Sequence, residues 1–593
     1  MPRFDTIINN GLVFDGSPQP ARVRHLALKD GRVASMADTP FADAEASETI
    51  DAAGQWVMPG FLDTHTHYDA EMLAAPALSE SVRHGVTTVT FGSCSISMIL
   101  ADPEDCADLF TRVESVPREH VLPLLQAKKT WHRPREFVAF LRQHTLGPNV
   151  TSFLGHSELR TAVMGLGRAV SRDERPTEAE MQTMEGILEE ALDEGLLGLS
   201  TMTTSWDKLD GDRYRSASLP STYAPWSEFR RFNRILRRRG RIHQGAPNIV
   251  TKWNMFLFLS ESVGLWRKPL KTTLLSLMDL KANPLLVKVV APLTGWFNRL
   301  LKADFRWQTL PNKFEVYADG IDLVIFEEFG AGQAALHLRD EVERNELLHE
   351  ESYRRWFRKD YENNWGPRVW QRDFHDALIV SCPDDSLAGK SFGEVADARG
   401  LHPVDLFLDL IVEYGTDLRW HTVIANHNPK VVEKLVQDPS VIISFADSGA
   451  HIRNMAYYNF PLRLLKLVHQ ARERGEPIMS MEKAVWRLTG ELADWFGIEA
   501  GYIREGDRAD ITVIDPTRLD QPLDDYHEAP IEAFGGIPRI VNRNEGLVTA
   551  VFINGGLAFR NETFAEDLGK STRFGTFLPA TDNATDKGIK HAG

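Results

Sequence analysis

The 593-residue chain is longer than one small core requires, and its length predicts two to four domains. With 43% apolar and 25% charged residues, the composition is that of a globular protein in water. Asp and Glu number 83 against 67 Lys and Arg, and the net charge of −16 disfavours nucleic acid as a partner, because phosphate binding needs clustered positive charge.

The first 57 residues read as short strands broken by turn signals, with Asn-Gly and Asp-Gly pairs marking hairpins. They show no signal-peptide pattern. The same texture returns in "DRADITVIDP" (507–516) and "LVTAVFINGGLAFRN" (547–561), so residues 1–57 and 500–565 are predicted to form one small β-sandwich. From 58 to 499, apolar strand-like runs alternate with helical patterns: "VTTVTFGSC" (86–94), "NVTSFLGHS" (149–157), "GLLGLSTM" (195–202), "GRIHQG" (240–245), "RWHTVIANHN" (419–428) and "VIISFADSG" (441–449). Thr177 with Glu180 makes a capping box ahead of a helix, and "PKVVEKLVQDP" reads as a short helix before the last strand. The basic run "RRFNRILRRRG" (230–240) reads as one charged helix face. This alternation predicts an α/β protein whose parallel strands form a TIM-like (β/α)8 barrel. Residues 566–593 read as a weakly ordered tail.

Three cysteines, Cys94, Cys106 and Cys382, give no disulfide framework and fit a reducing compartment. No run approaches the roughly 18 apolar residues of a spanning helix. A cytoplasmic protein is expected.

Catalytic groups of such a barrel stand at the C-terminal ends of its strands. "PGFLDTHTHYDA" (59–70) places His65 and His67 two apart on an extended chain, which turns both imidazoles to one face. Alone, the pair suits a metal site or a polar loop equally. Further strand ends carry Cys94, His156 with Arg160, His243, and Asp447 with His451 one turn on. Each has a packing or capping alternative, but their recurrence at the same relative place points to a site.

"PGFLDTHTHYDA", "HGVTTVTFGSCSIS", "LGHSELR", "GLLGLST" and "IISFADSGAH" occur in the order of the motifs of the amidohydrolase superfamily. They most resemble its N-acyl-D-amino-acid deacylase (D-aminoacylase) branch, over roughly residues 1–565 and most thinly between 246 and 400. The resemblance implies a zinc-dependent hydrolase of N-acyl amino acids, holding one or two ions, with a cysteine where related hydrolases use carboxylated lysine. It implies that His65 and His67 hold one metal position, that Cys94 lies between positions, that His243 serves the other, and that Asp447 is the catalytic carboxylate. His156 and Arg160 are carried over as substrate-binding residues. Two departures stand out. The chain has "GSCS" where the family reads Gly-Asn-Cys-Gly. In place of the family's S-H-x-K run after strand six it has "LSLMDLKAN" (275–283), which puts Asp279 in the ligand's place and Lys281 in that of the substrate-carboxylate anchor.

A small-molecule N-acyl substrate and a homo-oligomer are expected. The alternatives are a cyclic-amide hydrolase or esterase on the same scaffold, or a homologue that binds ligand without turnover. Residues 252–311 are unusually rich in Leu, Phe and Trp and read as an apolar insertion. They could be core helices, or could rest on a membrane surface, which the acidic charge disfavours. The reading adopted is that Trp253, Phe256, Phe258, Trp266 and Trp296 line an apolar mouth for a long acyl group.

Overall fold

In a computed structural model the alternating segments become parallel strands crossed over by helices; the structure describes residues 2–248, 253–363, 365 and 368–581. The strands are β1 (Phe61–Asp63), β2 (Val86–Phe91), β3 (Asn149–Ser152, continued by Leu154–Gly155), β4 (Gly198–Met202), β5 (Ile242–Ala246), β6 (Lys271–Leu274), β7 (Asp304–Thr309) and β8 (Val441–Ile443). One sheet holds β1, β2 and β3; a second runs from Leu154–Gly155 through β4, β5, β6 and β7 to β8. Every pair is parallel, and spatial order follows sequence order. The two sheets meet at both seams. Phe153 N donates to Phe91 O at 3.0 Å and Leu197 N to Ser152 O at 2.9 Å, while His67 N donates to Ser448 O at 2.8 Å and Asp447 N to His65 O at 3.2 Å. The second seam places the polar loops after β1 and β8 side by side.

The strands are buried on both faces, which is why they read as apolar runs rather than alternating ones. The helix ends follow the expected chemistry. Thr177 accepts from Glu180 N at 3.2 Å and Glu180 accepts from Thr177 N at 2.7 Å, closing the predicted capping box on Glu178–Asp193. The basic run forms α1 (Trp226–Arg239), ended by Gly240 in the left-handed region. Its arginines pair with Glu178, Glu185, Glu189 and Asp193 of the preceding helix, so the positive stripe is internally neutralised.

Both chain ends build one nine-stranded sheet, joined where Ile511–Ile514 lies antiparallel to Trp56–Pro59. Ile8, Leu26, Val57, Ile511 and Phe552 pack together beneath it. Asp30–Gly31 makes the expected hairpin turn; Asn10–Gly11 does not, and instead forms a bulge inside Phe4–Val13, where the register shifts.

Three segments depart from the sequence reading. "RWHTVIANHN" contributes Arg419–Ala425, which lies between Phe314–Asp319 and Ala377–Ser381 in a separate antiparallel sheet. Alternating apolar residues fit an antiparallel strand as well as a buried parallel one, so the pattern could not separate them. The stretch 252–311, expected as an insertion, holds α2 (Trp253–Ser262), β6, α3 (Leu286–Leu300) and β7, two regular strand–helix repeats. The segment that stands outside the parallel sheets is 314–425, packed around Phe326, Phe374, Phe407 and Trp420. Third, the expected loose tail is docked over 566–581: Phe574 is buried, Val150 N donates to Thr576 O at 2.9 Å, and Ala580 N donates to Gly195 O at 2.8 Å. Residues 582–593 lie outside the described residues.

Candidate metal centre

The loop after β1 presents His65 and His67, and the loop after β2 presents Cys94. Their ligand atoms all lie within 4.8 Å of one another, and all three side chains are buried. Cys94 and Ser95 both have positive φ, 51° and 70°, and this tight reversal turns the thiol back over the strand ends. Gly92 permits it, since a Cβ there would stand 2.2 Å from Phe153 O.

Asp447, also left-handed at φ 54°, enters from the loop after β8. Its Oδ1 lies 3.3 Å from His67 Nε2 and 3.5 Å from His65 Nε2, and His65 Nε2 is 3.3 Å from Cys94 Sγ. His65 Nδ1 is 2.7 Å from Gln308 Oε1, an acceptor only, so Nδ1 carries the proton and Nε2 presents a lone pair. A lone pair, a sulfur and a carboxylate oxygen thus converge on one point. Asp447 Oδ1 is buried without a hydrogen-bond partner there. Such crowding of electron pairs is costly unless a cation sits among them, and thiolate with imidazole is a zinc-type donor set. The residues present fit a metal ion.

Electrostatics agree. Burial pushes the Cys94 thiol up to about 12 and His65 down to about 4. Burial also opposes ionisation of Asp447, but His67 beside it outweighs this and holds the carboxyl below its ordinary range. Glu114 is driven upward by burial, with His67 opposing. Its Oε1 stands 3.3 Å from His67 Nδ1, with no hydrogen bond closed between the two. Glu114, Gln308, and Gln244, whose Oε1 accepts from Cys94 N at 3.4 Å, were missed by sequence reasoning. Glu114 lies in a long loop with no motif. Gln308 and Gln244 could have been found only by knowing which residues of β7 and β5 face inward.

Five expected residues are elsewhere. His243 alternates with Gln244 along β5 and so points outward, where its ring meets Phe229 of α1 and Phe258 of α2 and Nε2 lies 2.9 Å from Thr201 Oγ1. It is a core histidine, and the inward position belongs to Gln244. His156 and Arg160 form a buried cluster with Glu228 of α1, at 2.8 Å and 2.6 Å, and Glu228 accepts from both. Asp279 faces His427 Nδ1 at 3.6 Å, and Lys281 is paired with Asp376 of the antiparallel segment. Residues 275–283 leave β6 toward Arg419–Ala425, where Lys281 N donates to Ile424 O at 2.9 Å, and this exit carries Asp279 and Lys281 away from the metal cluster.

The reassignment of His243 is testable by pH. Burial, helped by the charge of His156, lowers its pKa from 6.5 to about 3. Between those values the unfolded chain binds a proton that the folded chain refuses. The stability this group contributes is therefore complete above about pH 6.5 and is lost as pH falls toward 3. His243→Phe is expected to flatten that acid limb in denaturation curves while metal content stays at the wild-type level. Loss of metal in the variant would restore His243 as a ligand.

Above the cluster lies a cavity of about 230 Å³ whose lining includes His67, Cys94, Glu114, Asp447 and His451. Its walls are mostly apolar: Met202 and Trp206 on one side, Phe314, Val316, Leu323 and Ile325 of the 314–425 segment on the other. Among the described side chains, none of the aromatic residues predicted for an apolar mouth lines it. Phe258 is buried behind His243, Trp266 and Trp296 are exposed, Phe256 projects from α2, and the side chain of Trp253 lies outside the described part. Among the described residues, no lysine or arginine lines the cavity.

No family model matches the chain. An uncharacterized protein of Mycobacterium tuberculosis is 52% identical over 585 residues, covering 97% of this chain and 96% of that one. N-acyl-D-aspartate deacylase of Alcaligenes xylosoxydans is 37% identical over 202 residues, 34% of this chain and 36% of that protein. Among solved structures, D-aminoacylase with a binuclear metal centre superposes with a TM-score of 0.63 at 22% identity, over 97% of this chain and 100% of that one. N-acyl-D-glutamate deacylase of Bordetella bronchiseptica, complexed with zinc and a phosphonate mimic of the tetrahedral intermediate, gives 0.63 at 20% identity over 98% and 100%. The chain belongs to one family with the mycobacterial protein, on the fold of D-aminoacylase, which defines a subset of the amidohydrolases.

Proposed function

We propose that the protein is a zinc-dependent amidohydrolase that cleaves the amide bond of N-acylated amines on a closed (β/α)8 barrel. The observation that carries this reading is the convergence of His65 Nε2, His67 Nε2, Cys94 Sγ and Asp447 Oδ1 beneath an apolar cavity. Bound zinc supplies Lewis acidity for the carbonyl and lowers the pKa of water. His65, His67 and Cys94 would hold it, with Gln308 orienting the His65 ring and Glu114 standing beside that of His67. Asp447 Oδ1 stands beside both imidazoles as the carboxylate of the site. It takes the proton of the attacking water and passes it to the leaving nitrogen. Because His243 and Asp279 both point elsewhere, the site is read as holding one ion per chain, and metal analysis of the purified protein tests this. Two tightly held ions would mean a second ligand set.

The cavity favours two finer points about the substrate. Its apolar walls suit an acyl chain, and each buried methylene contributes about 0.8 kcal/mol, nearly fourfold in kcat/KM. A series from acetyl to dodecanoyl should therefore rise and then level off once the cavity is full; a flat or falling series would remove the apolar reading. Second, Lys281 and Arg160 are engaged with Asp376 and Glu228, so neither is placed to anchor a substrate carboxylate. Asp207 lines the cavity and would repel one, while Glu328, also in the lining, is paired with Arg372. N-acyl amino-acid amides and N-acyl amines are expected to exceed the matching N-acyl amino acids by at least tenfold in kcat/KM. The reverse order would assign the carboxylate an anchor. If no amide of any kind is cleaved by zinc-loaded protein, the site binds ligand without turnover.

A further inference from the structure

We propose that α3, with the loop before β6, rests on an anionic membrane surface. The inward face of α3 is Val287, Val290 and Thr294, and Thr294 Oγ1 accepts from Trp307 Nε1 at 2.8 Å, which fixes the helix on β7. Its outward face is also apolar. Leu285, Val289, Pro292, Trp296 and Leu300 succeed one another at steps of three or four and so lie along one side of the helix. Leu285 is 66% exposed, Val289 63%, Leu300 53% and Trp296 49%, while Trp266 in the loop before β6 is 90% exposed. A water-facing helix surface is ordinarily polar, and a contiguous apolar face on a soluble chain marks a docking surface.

Charge selects the occupant. Residues 265–302 hold seven basic residues and a single acidic one, Asp279, which is buried, in a chain of net charge −16. Arg267, Lys268, Lys288, Arg299 and Lys302 are exposed around the apolar face. An apolar stripe with tryptophans, flanked by cations, suits the boundary between acyl chains and anionic headgroups. A second copy docked face to face would set Lys288 and Arg299 against themselves, which disfavours that occupant. Among the described residues no helix is long and apolar enough to cross a membrane, so the contact is peripheral.

Full-length protein is expected to sediment with vesicles of equal phosphatidylglycerol and phosphatidylcholine, and much less with phosphatidylcholine alone. Tryptophan emission should shift to the blue on binding, and added salt should weaken the interaction. The triple variant L285E/V289E/W296E should lower vesicle partitioning at least tenfold while leaving the turnover of a water-soluble substrate unchanged. The charge variant K288E/R299E, which alters exposed positions alone, should lower partitioning to anionic vesicles and keeps the test open should the triple variant misfold. Failure of the wild type to bind anionic vesicles overturns the proposal, as does equal binding by both variants. Conversion of a dimer to monomers by K288E/R299E without any vesicle binding assigns the face to a second copy and overturns it as well.

Discussion

Cys94→Ala is expected to release the metal and abolish activity together, with affinity falling by more than about 100-fold. Substitutions of groups that merely orient a ligand already cost roughly 10–100-fold, and a directly binding group should exceed that range. The thiol has no other structural task of comparable weight. Its sulfur lies 3.3 Å from His65 Nε2, and burial pushes its pKa to about 12, so in the absence of a cation it stays protonated. Metal binding must therefore expel that proton, which makes zinc uptake pH-dependent and measurable as proton release. Elemental analysis and calorimetry on the variant give the answer. Full zinc content with an unchanged rate would reduce Cys94 to a packed side chain and remove the metal site from the proposed function.

Asp447→Asn is expected to lower turnover by about 10²–10⁴-fold, the range of a general acid–base group, with the fold retained. The amide fills the same space, and the left-handed backbone at this position tolerates asparagine at least as well as aspartate. What is lost is the proton acceptor at Oδ1, 3.3 Å from His67 Nε2. Because Oδ1 also points at the presumed ligand atoms, zinc content and rate must be measured together. A variant that binds zinc normally and turns over slowly identifies a proton carrier. One that loses zinc in proportion to rate makes Asp447 chiefly a ligand.

The sequence by itself determined which residues end the parallel strands and therefore which could meet. Motif spacing is local: two imidazoles two residues apart share a face, and a cysteine or an aspartate closing an apolar run stands at a strand end. That logic selected His65, His67, Cys94 and Asp447, which the structure places near one another, and also His243, which it does not. The joining of both chain ends in one sheet was legible for a similar reason, since the strand texture of 1–57 has no local partner and finds one only at 500–565.

Only the tertiary structure decided which way the side chains of a fully buried strand point. On β5 both faces are apolar in surroundings, so no hydrophobic alternation marks His243 as outward and Gln244 as inward; the packing of Phe229 and Phe258 does. His156 and Arg160 look like polar groups aimed at a site until Glu228, some seventy residues on, neutralises them. The cavity roof is likewise non-local. Phe314, Val316, Leu323 and Ile325 belong to a segment whose antiparallel strands imitate the parallel pattern, and only closure of that sheet over the strand ends turns them toward the metal cluster. The converse holds for α3, where an apolar sequence reads as the lining of a mouth over the site. Because β7 can cover only one side of a helix, the second apolar stripe is left facing water.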